Sequence, residues 1–271
     1  MRNKKPMEEP EAWETEAEWY LDAQGKAERD RRQLYSLTST VYEGIHLGYL
    51  GVIQYPRDFS EGRIDTEAIR HERDVRDIYL VTSRDGVKWD LASLYQEEPL
   101  LHRGTAASWD KDQVMAAPSL ITHMGRHWLY YLGINERHDC DSPKKKKAIG
   151  VATLALDRFA YLSASSNASS YGWFETLGFQ VEPSSRLLLN AVVPLGSSLQ
   201  VEVAPLAEGD PPALSGYARA DSNIHTVEAP IDEAALEARW ATKSFAGVSG
   251  EVRLRFYLQG TAKLYSFQLA R

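Results

Sequence analysis

Four side chains in the first half of this chain have types and settings suited to chemistry on a polyhydroxylated ligand. Glu43 stands in Val41-Tyr42-Glu43-Gly44-Ile45, an apolar stretch with the texture of a strand. Desolvation there would raise a carboxyl toward the range of a general acid. Gly44 beside it allows a ligand or a backbone to approach closely. The competing reading pairs Glu43 with an arginine or a backbone N–H at a strand edge. Asp110 follows Trp109, an order in which an indole stacks on the apolar face of a sugar and a carboxylate takes its hydroxyls. A turn-capping aspartate fits Asp110 equally well. His46 alternates with Ile45 and Leu47 and so faces away from them, either toward a site or toward a neighbour that satisfies it.

The elements that must position these groups read as strands. Ser83-Arg84-Asp85-Gly86-Val87-Lys88-Trp89 follows the apolar run Ile78-Tyr79-Leu80-Val81-Thr82. Asp-Gly suits a tight two-residue hairpin turn, because both central residues tolerate positive φ. Trp89 then falls on the returning strand, where its ring covers the turn. Strands are expected at 35–42, 45–55, 78–82, 88–94, 119–123 and 127–134. Further strands are expected at 148–156, 159–162, 174–181, 187–193, 198–204, 252–259 and 263–269. The 231–240 segment, Ile-Asp-Glu-Ala-Ala-Leu-Glu-Ala-Arg-Trp, is the short helix candidate. Residues 1–33 are dense in Glu, Lys, Arg and Ala and read as a charged helical leader. Residues 56–77 read as a polar insertion.

Composition narrows the function classes. With 43% hydrophobic and 25% charged residues the chain has a globular composition. A net charge of −7 makes nucleic acid a poor partner, and the basic run 144–147 reads as a solvated hairpin tip. The single cysteine, Cys140, excludes an internal disulfide and any multi-cysteine metal site. His138-x-Cys140 is too isolated to read as a metal pair. No apolar run is long enough to span a membrane, and no apolar segment follows the basic amino terminus as a signal peptide requires. Membrane partners are therefore not expected, and the default localisation is cytoplasmic. Templates for serine hydrolysis, zinc proteolysis, phosphate cradles and dinucleotide binding are missing from the sequence. No cofactor or metal is expected.

The order of segments carries a family likeness. Tyr42-Glu43-Gly44-Ile45-His46-Leu47-Gly48-Tyr49-Leu50, the S-x-D-G-x-x-W run, Ser108-Trp109-Asp110 and Trp128-Leu129-Tyr130-Tyr131-Leu132-Gly133 resemble later blades of the five-bladed propeller glycosidases of glycoside hydrolase families 32 and 43. The second half is similar to the β-sandwich that follows the propeller in bacterial relatives. It matches at Ile149-Gly150-Val151-Ala152-Thr153-Leu154, Ser198-Leu199-Gln200-Val201-Glu202-Val203 and Val252-Arg253-Leu254-Arg255-Phe256. The resemblance implies an all-β fold, with a charged leader at 1–33, a partial propeller at 34–150 and a sandwich at 151–271. It implies that Glu43 is the general acid; in such a propeller His46 would line the axis, and Trp109 and Asp110 would bind sugar in the first of their two readings. A blade takes roughly 40–50 residues, so the propeller region supplies about two or three blades. Glycoside cleavage needs two carboxylates across the scissile bond, and the family's first two acids would belong to blades that this sequence lacks. The expectation is therefore a truncated glycosidase-like protein, or alternatively a non-catalytic carbohydrate-binding or structural module. Exposed blade edges would favour self-association.

Overall fold

The computed structural model describes residues 32–54, 74–138, 140, 142–164, 171–222, 230–241 and 243–271. Of the expected leader only Arg32 and Gln33 fall inside this range, and they open the first strand. Most of the 56–77 insertion lies outside the described residues, as do residues 165–170. The structure is all-β, and its sheets remain open among the described residues. It divides into two compact units between Thr153 and Leu154.

The first unit is built on one six-stranded sheet, ordered β1 (Arg32–Tyr42), β2 (Ile45–Gln54), β3 (Val75–Ser83), β4 (Gln113–His123), β5 (Arg126–Ile134) and β6 (Lys147–Ala155). β1 and β2 form a hairpin in which Tyr42 pairs with Ile45. β4 and β5 form another, in which His123 pairs with Arg126. The two-residue turns are Glu43-Gly44 and Met124-Gly125, and all four residues have positive φ. This is the backbone that matches the right-handed twist of paired strands. The one parallel link joins Arg76 to Gln113, so the sheet is two antiparallel groups joined at a single register position. It bends enough for Tyr42 of β1 to meet His127 of β5 edge-on, ring centroids 4.9 Å apart.

β2 and β3 are buried on both faces, which explains their near-continuous apolar sequence. On one face Leu50, Val52, Tyr79 and Val81 pack with Leu94 of a one-turn helix, α1 (Ala92–Tyr95). On the other, Tyr49 and Ile78 pack with Val114 and Leu129. The expected strand over 88–94 is therefore corrected. Only Asp90 bridges back to Thr82, and the Asp90 side chain then accepts the Ala92 N–H to open α1. The expected Asp-Gly hairpin is also different in kind. Gly86 has φ +72 while Asp85 keeps negative φ, and side chains bind the turn. The Asp85 carboxylate accepts the N–H groups of Lys88 and Val87, and Ser83 Oγ accepts that of Gly86. Those backbone donors, Lys88 first and then Val87, hold the Asp85 carboxyl below the usual carboxylate range.

The second unit has two larger antiparallel sheets and a two-stranded one, β13 (Arg239–Trp240) with β14 (Lys243–Ser244). One is ordered β12 (Ile231–Glu237), β10 (Arg186–Val193), β16 (Lys263–Ala270), β7 (Leu162–Ser163). The other is ordered β11 (Ser198–Pro205), β15 (Gly250–Gln259), β8 (Gly172–Glu175), with β9 (Phe179–Val181) also on β15. Both send alternate residues into a common core: Leu187, Leu189, Ala191 and Val193 from β10, and Leu199, Val201 and Val203 from β11. Val252, Leu254, Phe256 and Leu258 of β15 complete it. The expected strand over 174–181 is split at Thr176-Leu177-Gly178 into β8 and β9.

The helix expected over 231–240 is two strands instead, β12 on β10 and then β13 on β14. Helical propensity loses here to sheet pairing. Val193 to Leu188 of β10 align along Ile231 to Glu237, and Trp240 is carried into the core. There its indole N–H donates to Val201 O at 2.8 Å, so a large ring is buried with its polar atom satisfied.

Candidate functional site

Glu43 is the first residue of the β1–β2 turn, at φ +46, with an exposed side chain. The apolar strand setting expected from its neighbours is thus corrected, because the chain reverses there. Val41 and Tyr42 are the last residues of one strand and Ile45 the first of the next. The burial that would tune a general acid is missing at this position.

His46 lies on β2 opposite Val41 and Ser83. Its ring sits 6.3 Å from Trp89, edge-on, and a Cβ built on Gly86 would come within 3.3 Å of it. His46 and Trp89 therefore close over the Ser83–Asp85–Gly86 turn, and the Trp89 indole N–H donates to Gly86 O at 3.1 Å.

Trp109 and Asp110 sit elsewhere in the unit. The Trp109 ring stacks on Tyr131 at 5.6 Å and 18°. The two rings press on backbone without side chains: a Cβ on Gly133 would lie 2.3 Å from Trp109, and one on Gly150 would lie 2.6 Å from Tyr131. Asp110 is buried and accepts the Tyr131 hydroxyl at 2.8 Å. Burial, and then the bond to Asp110, push the Tyr131 phenol up to about 12. This indole and this carboxylate are engaged by their own fold, one on glycines and one on a tyrosine.

Buried charge in the first unit is likewise paired. Asp77 accepts Arg103 Nε at 2.7 Å and Gln54 Nε2 at 2.7 Å, and Gln54 Nε2 also reaches the Tyr79 hydroxyl. Asp112 is met by Arg137 Nε at 3.2 Å and by Lys111. Each of these carboxylates has a cation beside it. These pairs brace the ends of β3 and β4. Among the described residues no group of His, Cys, Asp and Glu has the clustering to hold a metal ion. Cys140 is a free thiol facing Glu136 at 3.9 Å.

A different kind of surface lies on the second unit, on the outer face of the β11–β15–β8 sheet. Because Phe256 and Phe174 point inward and stack on each other, the residues beside them in sequence point outward. Tyr257 and Trp173 are register partners on that outer face, their rings 6.4 Å apart at 27°. Tyr171 adds a third ring, 5.8 Å from Tyr257. Trp173 is 61% exposed and Tyr171 49% exposed. Arg219, from the 3-10 turn Arg219–Asp221, lays its guanidinium 4.0 Å from the Tyr171 ring centroid and 4.6 Å from that of Tyr257. Such cation–π stacking holds the group flat on the rings. Gln200 of β11 takes Arg219 Nε at 2.8 Å.

Beside the rings runs a charge ladder. Arg253 and Arg255 both bind Glu175, at 2.7 and 2.6 Å, and Arg255 also binds Glu202 at 2.8 Å and Asp210 at 2.5 Å. Burial pushes Glu175 up, but the Arg255 and then the Arg253 guanidinium outweigh it and hold the carboxyl below its usual value. Burial, and then the Glu202 charge, push the Tyr257 phenol up. On this face Trp173 and Tyr257 lie nearly parallel while Tyr171 stands at 67° to Tyr257, and fixed donors and acceptors edge the rings.

None of these ring residues was singled out from sequence. A signal was present: Tyr171-x-Trp173 has the spacing that puts two rings on one strand face, and Tyr257 holds a wet position in an alternating strand. No family model matches the chain, and no curated protein or solved structure matches it either.

Proposed function

We propose that this chain is a non-catalytic carbohydrate-binding β protein, and that it binds through the outer face of the β11–β15–β8 sheet. The observation that carries the reading is the exposed Trp173–Tyr257–Tyr171 ring surface with Arg219, Gln200, Glu175 and Glu202 at its edge. Sugars present an apolar C–H face and a rim of hydroxyls. Flat rings beside pre-oriented polar groups complement both at little entropic cost. The ion pairs already fix the edge side chains, so binding has few rotamers left to freeze.

In architecture, the reading takes the second unit as a β-sandwich and the first as propeller-type blades. Two sheets meeting over one core support the former. Two antiparallel strand groups joined at one register position support the latter. Descent from a propeller glycosidase remains part of the proposal. Hydrolysis does not, because Glu43 sits on an exposed turn and Asp110 is held by Tyr131.

The test is calorimetric titration with neutral gluco-, xylo-, galacto- and fructo-oligosaccharides, with a reducing-end assay run on the same mixtures. Binding by at least one class, weakened tenfold or more by Trp173→Ala and without release of reducing ends, is the expected outcome. Tenfold corresponds to about 1.4 kcal/mol, within reach of one lost ring stack. Release of reducing ends that disappears in Glu43→Gln would overturn the non-catalytic reading.

A further inference from the structure

The charges on the ring face do not balance residue by residue. Arg253 and Arg255 are each bound to carboxylates, among them Glu175, Glu202 and Asp210. Arg219 is not: its Nε goes to the neutral Gln200 side chain, and among the described residues no carboxylate pairs with its guanidinium. Glu202 comes near only through its bond from the Arg219 backbone N–H at 3.3 Å, while its other oxygen is taken by Arg255. Two tyrosine rings and one amide therefore fix a cation in orientation and leave its terminal nitrogens without an acceptor among the described residues.

A guanidinium held this way presents a planar fork that matches an oxyanion bidentately. We propose that Arg219 makes this face select glycans bearing an oxyanion, a carboxylate or a sulfate, on the sugar that stacks against the open Trp173 ring. The inference rests on the carbohydrate-binding reading above and names its ligand class. The overall charge of −7 adds a limit. A long polyanion is repelled by the rest of the molecule, so the fitting ligand is a short glycan, or one with isolated acidic residues.

The experiment compares three probes on the full chain at ~0.15 M salt, where charges are screened beyond about 8 Å. They are trigalacturonate, its carboxyl-reduced neutral counterpart, and a sulfated galactan trisaccharide. The expected result is that trigalacturonate or the sulfated probe binds at least tenfold tighter than the neutral one. Arg219→Gln should abolish that preference, bringing the affinity for the charged probes down to that for the neutral one. Arg219→Lys should keep part of the preference, because charge is retained while the fork is lost. Near-ultraviolet circular dichroism checks that each variant keeps its aromatic packing. Equal affinity for charged and neutral probes in the unaltered chain, with Trp173→Ala still weakening both, would overturn the selectivity and leave the carbohydrate reading standing. Absence of binding to every probe, and to the neutral panel, would overturn both.

Discussion

Two aromatic clusters in this molecule use the same residue types to opposite ends. In the first unit Trp109 stacks on Tyr131 with Asp110 beside them, and in the second Trp173 stacks on Tyr257 with Glu175 and Arg255 beside them. The difference lies in what covers the rings. Trp109 and Tyr131 are pressed onto Gly133 and Gly150, where any side chain would collide, and the carboxylate is spent on the tyrosine hydroxyl. Trp173 lies on the outer face of an edge strand with most of its surface open. A tryptophan with an acid close by is a packing device in the first unit and an open ring surface in the second, the surface proposed for binding. The neighbours' lack of side chains decides which.

The comparison breaks most visibly if the two tryptophans are removed. Trp109→Ala should lower stability by about 3 kcal/mol, the low end for loss of a large ring, since the indole is only partly buried. Trp173→Ala should change it by less than about 0.5 kcal/mol, as for other exposed positions. Urea titrations followed by circular dichroism measure both. Gly133→Ala comes next, with a loss of about 2 kcal/mol, because its methyl would collide with the Trp109 ring in a packed site.

Tyr131→Phe should cost about 1–2 kcal/mol at neutral pH by leaving a buried Asp110 oxygen without its donor. This cost depends on pH in a stated direction. The folded state holds the Tyr131 proton more tightly than the unfolded chain, with the phenol pushed up to about 12. The stabilisation is therefore complete below about pH 10 and is lost as pH rises toward 12. The stability gap between the unaltered chain and Tyr131→Phe should narrow across that window. A constant gap would remove the Tyr131–Asp110 bond from the account. The smallest effect sharpens the role of Glu43. Glu43→Asn should stabilise by about 0.5 kcal/mol, because Asn-Gly suits the positive-φ turn better than Glu-Gly.

Strands were legible where apolar and polar residues alternate strictly. The alternation in Ser198-Leu199-Gln200-Val201-Glu202-Val203 predicts a strand over 198–204, and β11 is Ser198–Pro205. The 231–240 segment was not legible, because Ala234, Ala235, Leu236 and Ala238 carry helical propensity and their sheet partner lies some forty residues away on β10. Glu43 was misplaced for a related reason. Its flanking apolar residues belong to two strands, and only the register Tyr42–Ile45 reveals the turn between them. The ring face joins 171–173, 219 and 257 from separate segments, so spacing within any one of them carries only part of the signal.

Indole N–H resonances report each tryptophan separately, so one spectrum tests both halves of the comparison. The chain has seven tryptophans, and Trp109→Phe and Trp173→Phe identify two of their signals. On titration with a binding oligosaccharide, the account predicts that the Trp173 indole signal shifts with the saturation curve while the Trp109 signal stays in place. A shift confined to Trp109, or saturable binding that moves neither signal, would contradict it.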